Sequence, residues 1–182
     1  MQNITPRLQY ISLLQNNRPR AMAWVRGNVR PHSSTIPMDS GAMPPTNRMP
    51  FSRISGLVKF YDTNYGGVLI EAEIFGLPNV SVPFSSNFYA FHIHETGDCS
   101  RDFTNTGNHY NPTMEEHPNH AGDMPPLLGN QGYAWTAFFD RRFTIDEIMG
   151  RSVVIHQMPD DFHSQPAGNA GTKIACGVIR PV

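Results

Sequence analysis

The chain has 182 residues, a net charge of −1 and 39% hydrophobic content, with 15 glycines and 16 prolines. That length suits one domain with a real core, and the near-neutral charge provides no field for nucleic acid or a membrane surface. No apolar run approaches the roughly 20 residues that cross a bilayer, and the wealth of turn formers favours short strands over helices.

In chain order, residues 1–20 (MQNITPRLQYISLLQNNRPR) are polar, lack a clear period and read as an N-terminal arm or helical lead-in. They show no continuous apolar stretch and no small-residue cleavage site, so no secretory signal is legible and the expected location is the cytoplasm. Residues 21–26 (AMAWVR) alternate as a first strand, with Trp24 expected as a core anchor. Residues 29–50 carry five prolines and Met38, Met43 and Met49 but almost no large apolar residue, and read as a loop insertion. Further strands are expected over 54–61, 68–75 and 82–94. In 68–75, Val68, Ile70, Ala72 and Ile74 alternate with Leu69, Glu71 and Glu73, the pattern of a half-buried strand. The segment after Asp123 reads as a Met-Pro-Pro turn. Strands follow over 133–140, 152–156 and 173–179, with a short helical turn between the first two of these. The class is all-β: about eight antiparallel strands in a Greek-key barrel or sandwich, immunoglobulin-like, with long loops.

One stretch stands apart. Between His92 and Asp123 lie five of the eight histidines (His92, His94, His109, His117, His120) and Cys99. His92 and His94 at i and i+2 share one face of a strand and can reach one ion. Imidazole suits copper and zinc, and a carboxylate as fourth partner suits tetrahedral zinc. Any one of these histidines alone would read as surface decoration; five together read as a transition-metal site, and more than one.

The motifs then fall into a known order. His92-Ile-His94, Gly-Asn-His-Tyr-Asn-Pro at 107–112, His-Ala-Gly-Asp at 120–123, Val-Val-Ile-His at 153–156 and GNAGTKIACGVI at 168–179 resemble the copper/zinc superoxide dismutases, over about residues 54–182. The resemblance implies one dismutase-like β-barrel domain over 21–182, carrying the insertion at 29–50. It implies copper held by His92, His94, His109 and His156, with His109 as an imidazolate shared with zinc. It implies zinc held by His109, His117, His120 and Asp123. Asp160 matches an aspartate that links a copper histidine to a zinc histidine, and Cys99 and Cys176 match an intrasubunit disulfide. The implied reaction converts superoxide to oxygen and hydrogen peroxide by alternate reduction and reoxidation of copper, with His109 delivering a proton. A homodimer and a copper donor are partners of the kind the family uses. A non-catalytic or weakly active metal-binding member of the fold, serving copper handling or structural support, is the second reading.

The chain departs from the family at Lys173, where arginine is usual. Lysine keeps the charge and loses the planar fork of donors, so turnover is expected to be slower. The loop between His156 and Lys173 is short, has no other cation and carries Asp160 and Asp161, so weak long-range steering of the anion is expected. His163 reads as a surface residue at the rim.

Overall fold

The computed structural model describes residues 5–28, 51–79 and 86–182; the insertion expected at 29–50 and the start of the strand expected at 82–94 lie outside them. Alternation decides which side chains face inward. In β1 (Ala21–Gly27), Ala21, Ala23 and Val25 enter the core while Met22, Trp24 and Arg26 point out. In β2 (Ser55–Asp62), Val58 and Phe60 turn inward, and in β3 (Val68–Phe75) Val68, Ile70, Ala72 and Ile74 do so. Trp24 is therefore not the core anchor the sequence suggested. It is 64% exposed, because the strand gives its inward face to small residues and an odd-even register cannot place Trp24 with them.

β4 (Phe88–His94), β5 (Asp123–Leu128), β6 (Tyr133–Asp140), α2 (Ile145–Ile148), β7 (Ser152–His156) and β8 (Lys173–Pro181) complete the frame. The eight strands pair in the order β5-β4-β7-β8-β1-β2-β3-β6, every pair antiparallel. The non-consecutive neighbours β4–β7, β8–β1 and β3–β6 are the crossovers of a Greek key, and β5 and β6 bound the seam of a nearly closed barrel.

β5 is the strand the sequence hid. Pro125 and Pro126 lack N–H donors, which reads as a turn; the structure tolerates them at the end of the strand order, with a register shift opposite Ala90. The helical lead-in is real: α1 (Pro6–Asn16) starts on a proline in its first turn and stops at Asn17 in the left-handed conformation. Tyr10 of α1 stacks on Phe139 of β6 with ring centroids 5.3 Å apart, and the Gln9 side chain accepts from the Asn64 backbone N–H at 3.3 Å. The helical turn before β7 is α2, closed by a reciprocal capping box between Thr144 and Glu147.

The barrel is covered unequally. On β4 and β7, Phe91, Ile93, Val153 and Ile155 fill the core while His92, His94, Val154 and His156 lie on the outer face, yet all eight are buried. The loops over 95–122 and 157–172 roof this half, and the candidate site is built under that roof.

Candidate metal centre

Strand register assembles the site. His92 and His94 flank Ile93 on the outer face of β4; His92 faces Asp123 of β5, and His94 bridges to His109 from the following loop. On the other side of β4, the β7–β8 register slips after Ile155: Ile155 faces Ala175, whereas His156 faces Lys173. Ile174 is the extra residue of this bulge, which re-aims Lys173 toward the histidines.

Two groups of four result. In one, the ligand atoms of His92, His94, His109 and His156 lie within 4.8 Å of one another; in the other, those of His109, His117, His120 and Asp123 do. Every residue predicted as a ligand is present and buried, and His109 belongs to both groups.

Ring orientation is set by the partners of each ring. His94 Nδ1 lies 3.0 Å from the Gly107 carbonyl and His156 Nδ1 lies 3.3 Å from the Gly171 carbonyl. A carbonyl can only accept, so both Nδ1 atoms carry the proton and both Nε2 atoms are bare. Asp160 likewise takes His92 Nε2–H with one oxygen and His117 Nε2–H with the other, each at 2.8 Å. That leaves the Nδ1 atoms of His92 and His117 bare, and both are buried without a hydrogen bond among the described residues, as are His120 Nδ1 and His109 Nε2. In the second group the Nδ1 atoms of His109, His117 and His120 converge on the Asp123 carboxylate at 2.7, 3.0 and 3.3 Å. Bare lone pairs buried face to face are costly unless a cation sits among them. The donor sets therefore fit metal ions: four imidazoles in one group, three imidazoles and a carboxylate in the other.

Burial favours the neutral form of His92, His94 and His156. Desolvation pushes His92 down to about 4, against the pull of Asp160, and His156 down to about 3, helped by His92. His94 falls well below its ordinary value for the same reason, with His156 adding to it. Burial alone would raise the two aspartates, but the hydrogen bonds from His109 to Asp123 and from His92 to Asp160 hold both below the usual carboxylate range.

Several positioning residues escaped the sequence reading. Arg142 is chelated by the Asp140 carboxylate, donates to the His120 carbonyl at 3.0 Å and also donates to the Asp123 carbonyl. Gln165 pairs with the backbone of His117, accepting at 3.1 Å and donating at 2.7 Å. Nothing in Asp-Arg-Arg-Phe or Ser-Gln-Pro marks these side chains; only the fold brings them to the loop that carries His117 and His120. Gly168, at φ 63°, sits where a Cβ would come within 2.1 Å of Asp160 Oδ1 and 2.6 Å of His117 Nε2, so only glycine fits over that pair.

Lys173 is half-buried and donates to Thr106 Oγ1 and to the Gly107 carbonyl, both at 2.8 Å. Burial lowers its pKa, Glu95 opposes this, and among the described residues no carboxylate pairs with it. A cavity of about 520 Å³ opens beside His156, lined by Ser164, Gln165, Pro166, Asn169 and Gly171 among others, and no lining residue carries a formal charge. His163 is exposed, as expected, and among the described residues pairs only with its neighbour Asp161. Cys99 and Cys176 form a disulfide that ties the roof loop to β8.

The profile of the family described as copper/zinc superoxide dismutase (SODC) matches residues 54–179, a span that contains all seven candidate ligand side chains. The chain belongs to the copper/zinc superoxide dismutase family. It is 33% identical over 144 residues to superoxide dismutase [Cu-Zn] 3 of Arabidopsis thaliana, covering 70% of this chain and 84% of that one. It is 38% identical over 144 residues to superoxide dismutase [Cu-Zn] 2 of Aquifex aeolicus, covering 70% and 80%. Among solved structures, the crystal structure of the clock protein EA4 superposes with a TM-score of 0.67 at 28% identity, covering 90% of this chain and 96% of that one. Membership of this dismutase family makes the chain an oxidoreductase acting on superoxide, and copper and zinc are the ions the family implies for its histidine clusters.

Proposed function

We propose that His92, His94, His109 and His156 hold copper, that His109, His117, His120 and Asp123 hold zinc, and that the pair converts superoxide to oxygen and hydrogen peroxide. The observation that carries this reading is the double membership of His109. Its Nδ1 points at Asp123 while its buried Nε2 has no hydrogen-bond partner among the described residues, which leaves that atom for the four-histidine group. When bound, copper supplies a one-electron couple that alternately oxidises and reduces superoxide, and zinc supplies a fixed positive charge.

Each residue then has a task. Two superoxides and two protons give one oxygen and one hydrogen peroxide, and His109 Nε2 is the atom suited to hold one of those protons. Asp160 keeps His92 and His117 in the tautomer that turns their Nδ1 atoms toward the ions. Lys173 supplies the cation that draws and orients the anion. An ammonium has three donors, and two are committed to Thr106 and Gly107, so one remains for superoxide. A guanidinium would offer a planar fork, so turnover is slower here than with arginine at this position.

Elemental analysis of the purified chain together with a superoxide-consumption assay on the metal-loaded protein tests the proposal. The expected result is about one copper and one zinc per chain, with rapid consumption. Full loading without turnover would sink it.

A further inference from the structure

Lysine at the anion-guiding position poses a placement problem: its charge sits at the end of a four-carbon stem with many rotamers, and it has no fork to fix direction. The structure contains a specific answer. Thr106 is fully buried, and its hydroxyl donates to the Phe103 carbonyl at 2.8 Å. With its hydrogen directed there, Oγ1 turns a lone pair toward Lys173 Nζ at 2.8 Å and lies farther, at 3.4 Å, from His94 Nδ1, whose closer partner is the Gly107 carbonyl at 3.0 Å. The Gly107 carbonyl takes a second ammonium hydrogen at 2.8 Å. Both acceptors are neutral, so the lysine is held in place without its charge being cancelled. A carboxylate in either position would fix the side chain equally well and would repel superoxide.

The carbonyl that orients Thr106 is itself held in an unusual conformation. Arg101, Asp102 and Phe103 lie in succession at φ 48°, 54° and 66°, a left-handed run that side chains other than glycine rarely adopt. Asn28 Nδ2 donates to Asp102 Oδ1 at 2.8 Å, and Cys99 at the head of the segment is tied to Cys176 in β8. Such strain persists only where the surroundings enforce it, and it clusters at sites of function. Here the enforced segment aims the Phe103 carbonyl at the hydroxyl that holds Lys173.

We infer that Thr106 is a positioning residue for the superoxide reaction: its buried hydroxyl, fixed by the Phe103 carbonyl, holds the Lys173 ammonium at the mouth of the histidine cluster with one N–H left for a small anion. This rests on the reading of Lys173 as the anion guide.

The test uses the copper- and zinc-loaded protein with four variants: Thr106→Val, Thr106→Ser, Lys173→Met, and Thr106→Val combined with Lys173→Met. Superoxide consumption is measured alongside azide affinity by optical titration, which reports anion binding without turnover; metal content and melting temperature check folding. Thr106→Val is isosteric and loses the acceptor, so both rate constant and azide affinity are expected to fall roughly three- to tenfold, below the full worth of one hydrogen bond to a charged group because the Gly107 carbonyl still holds the ammonium. Thr106→Ser keeps the hydroxyl and is expected to recover most of the loss. In the Lys173→Met background, Thr106→Val is expected to cause no further fall. If it costs the same factor with and without the lysine, Thr106 acts through the fold or through His94 Nδ1 rather than through Lys173, and the inference is overturned. If Lys173→Met lowers both readouts while Thr106→Val changes neither, this inference fails and the guiding role of Lys173 stands. If Lys173→Met changes neither readout, the guiding role fails and the inference falls with it.

Discussion

His94 Nε2 and His156 Nε2 face each other at 3.2 Å with no proton for either to share, since each ring has its Nδ1–H committed to a backbone carbonyl. Two buried lone pairs at that distance repel, and a cation bound by both removes the repulsion. Metal removal should therefore destabilise the protein sharply. For free metal about 1,000-fold above its dissociation constant, the loss on stripping is about 4 kcal/mol. Thermal unfolding before and after dialysis against a chelator measures it, and coincident transitions would refute the assignment of these histidines as ligands.

Asp160 ties the two ligand groups together through His92 and His117. Asp160→Asn retains the shape but offers one acceptor oxygen where two are needed, so one ring loses its orienting partner. Affinity at one or both sites should fall by about 10- to 100-fold. Competition titrations with a chromophoric chelator, run separately for copper and zinc, read the effect. Unchanged affinity at both sites would show that the bridge is dispensable.

The buried imidazoles make the metal-free chain acid-sensitive. His92 titrates near 4 and His156 near 3 in the folded state, against 6.5 for a free histidine. Between those limits the unfolded chain binds more protons than the folded one. Stability is thus complete above about pH 6.5 and lost as pH falls toward 3, by an amount on the order of a few kcal/mol. Urea midpoints at a series of pH values check the sign; a midpoint that rises on acidification would be the contrary result.

The Cys99–Cys176 bridge closes a separation of 77 residues. The chain-entropy model assigns such a loop about 4–5 kcal/mol, and measured losses of native disulfides run about 2–5 kcal/mol. Val154 and Phe103 pack with this bridge under the roof. Cys176→Ser should lower the denaturation midpoint by that order. A shift below about 0.5 kcal/mol, the range of ordinary surface changes, would show that packing alone holds the roof.

Lys173→Arg should raise the second-order rate constant by roughly a factor of a few, since a forked donor fixes an anion better than a single ammonium N–H. The loop between His156 and Lys173, which has no other lysine or arginine and carries Asp160 and Asp161, also predicts that the parent rate declines only shallowly between low and physiological salt. Stopped-flow decay of superoxide at several ionic strengths tests both. A variant no faster than the parent, or a steep salt dependence, would count against the respective claim.

Much of this was legible from the residues in order. Alternation in 68–75 correctly assigns the faces of β3; the histidine clustering marks the stretch from His92 to Asp123, the motif resemblance adds His156, and the fold brings these seven side chains into two groups that could hold metal ions. Three features were not legible. Trp24 looked like a core residue because bulk suggests burial, but facing depends on register with β2 and β8, which a lone strand does not reveal. β5 looked like a turn because two prolines cannot donate, and only its place at the end of the strand order makes that harmless. The grip of Arg142 on the His120 and Asp123 carbonyls, of Gln165 on His117 and of Thr106 on Lys173 joins positions far apart in the chain. Side-chain chemistry by itself points to metal ions and to the residue types suited to hold them. Tertiary structure alone decides which ring nitrogen each histidine presents and where the lysine charge points, because those depend on acceptors that distant backbone brings within 3 Å or so.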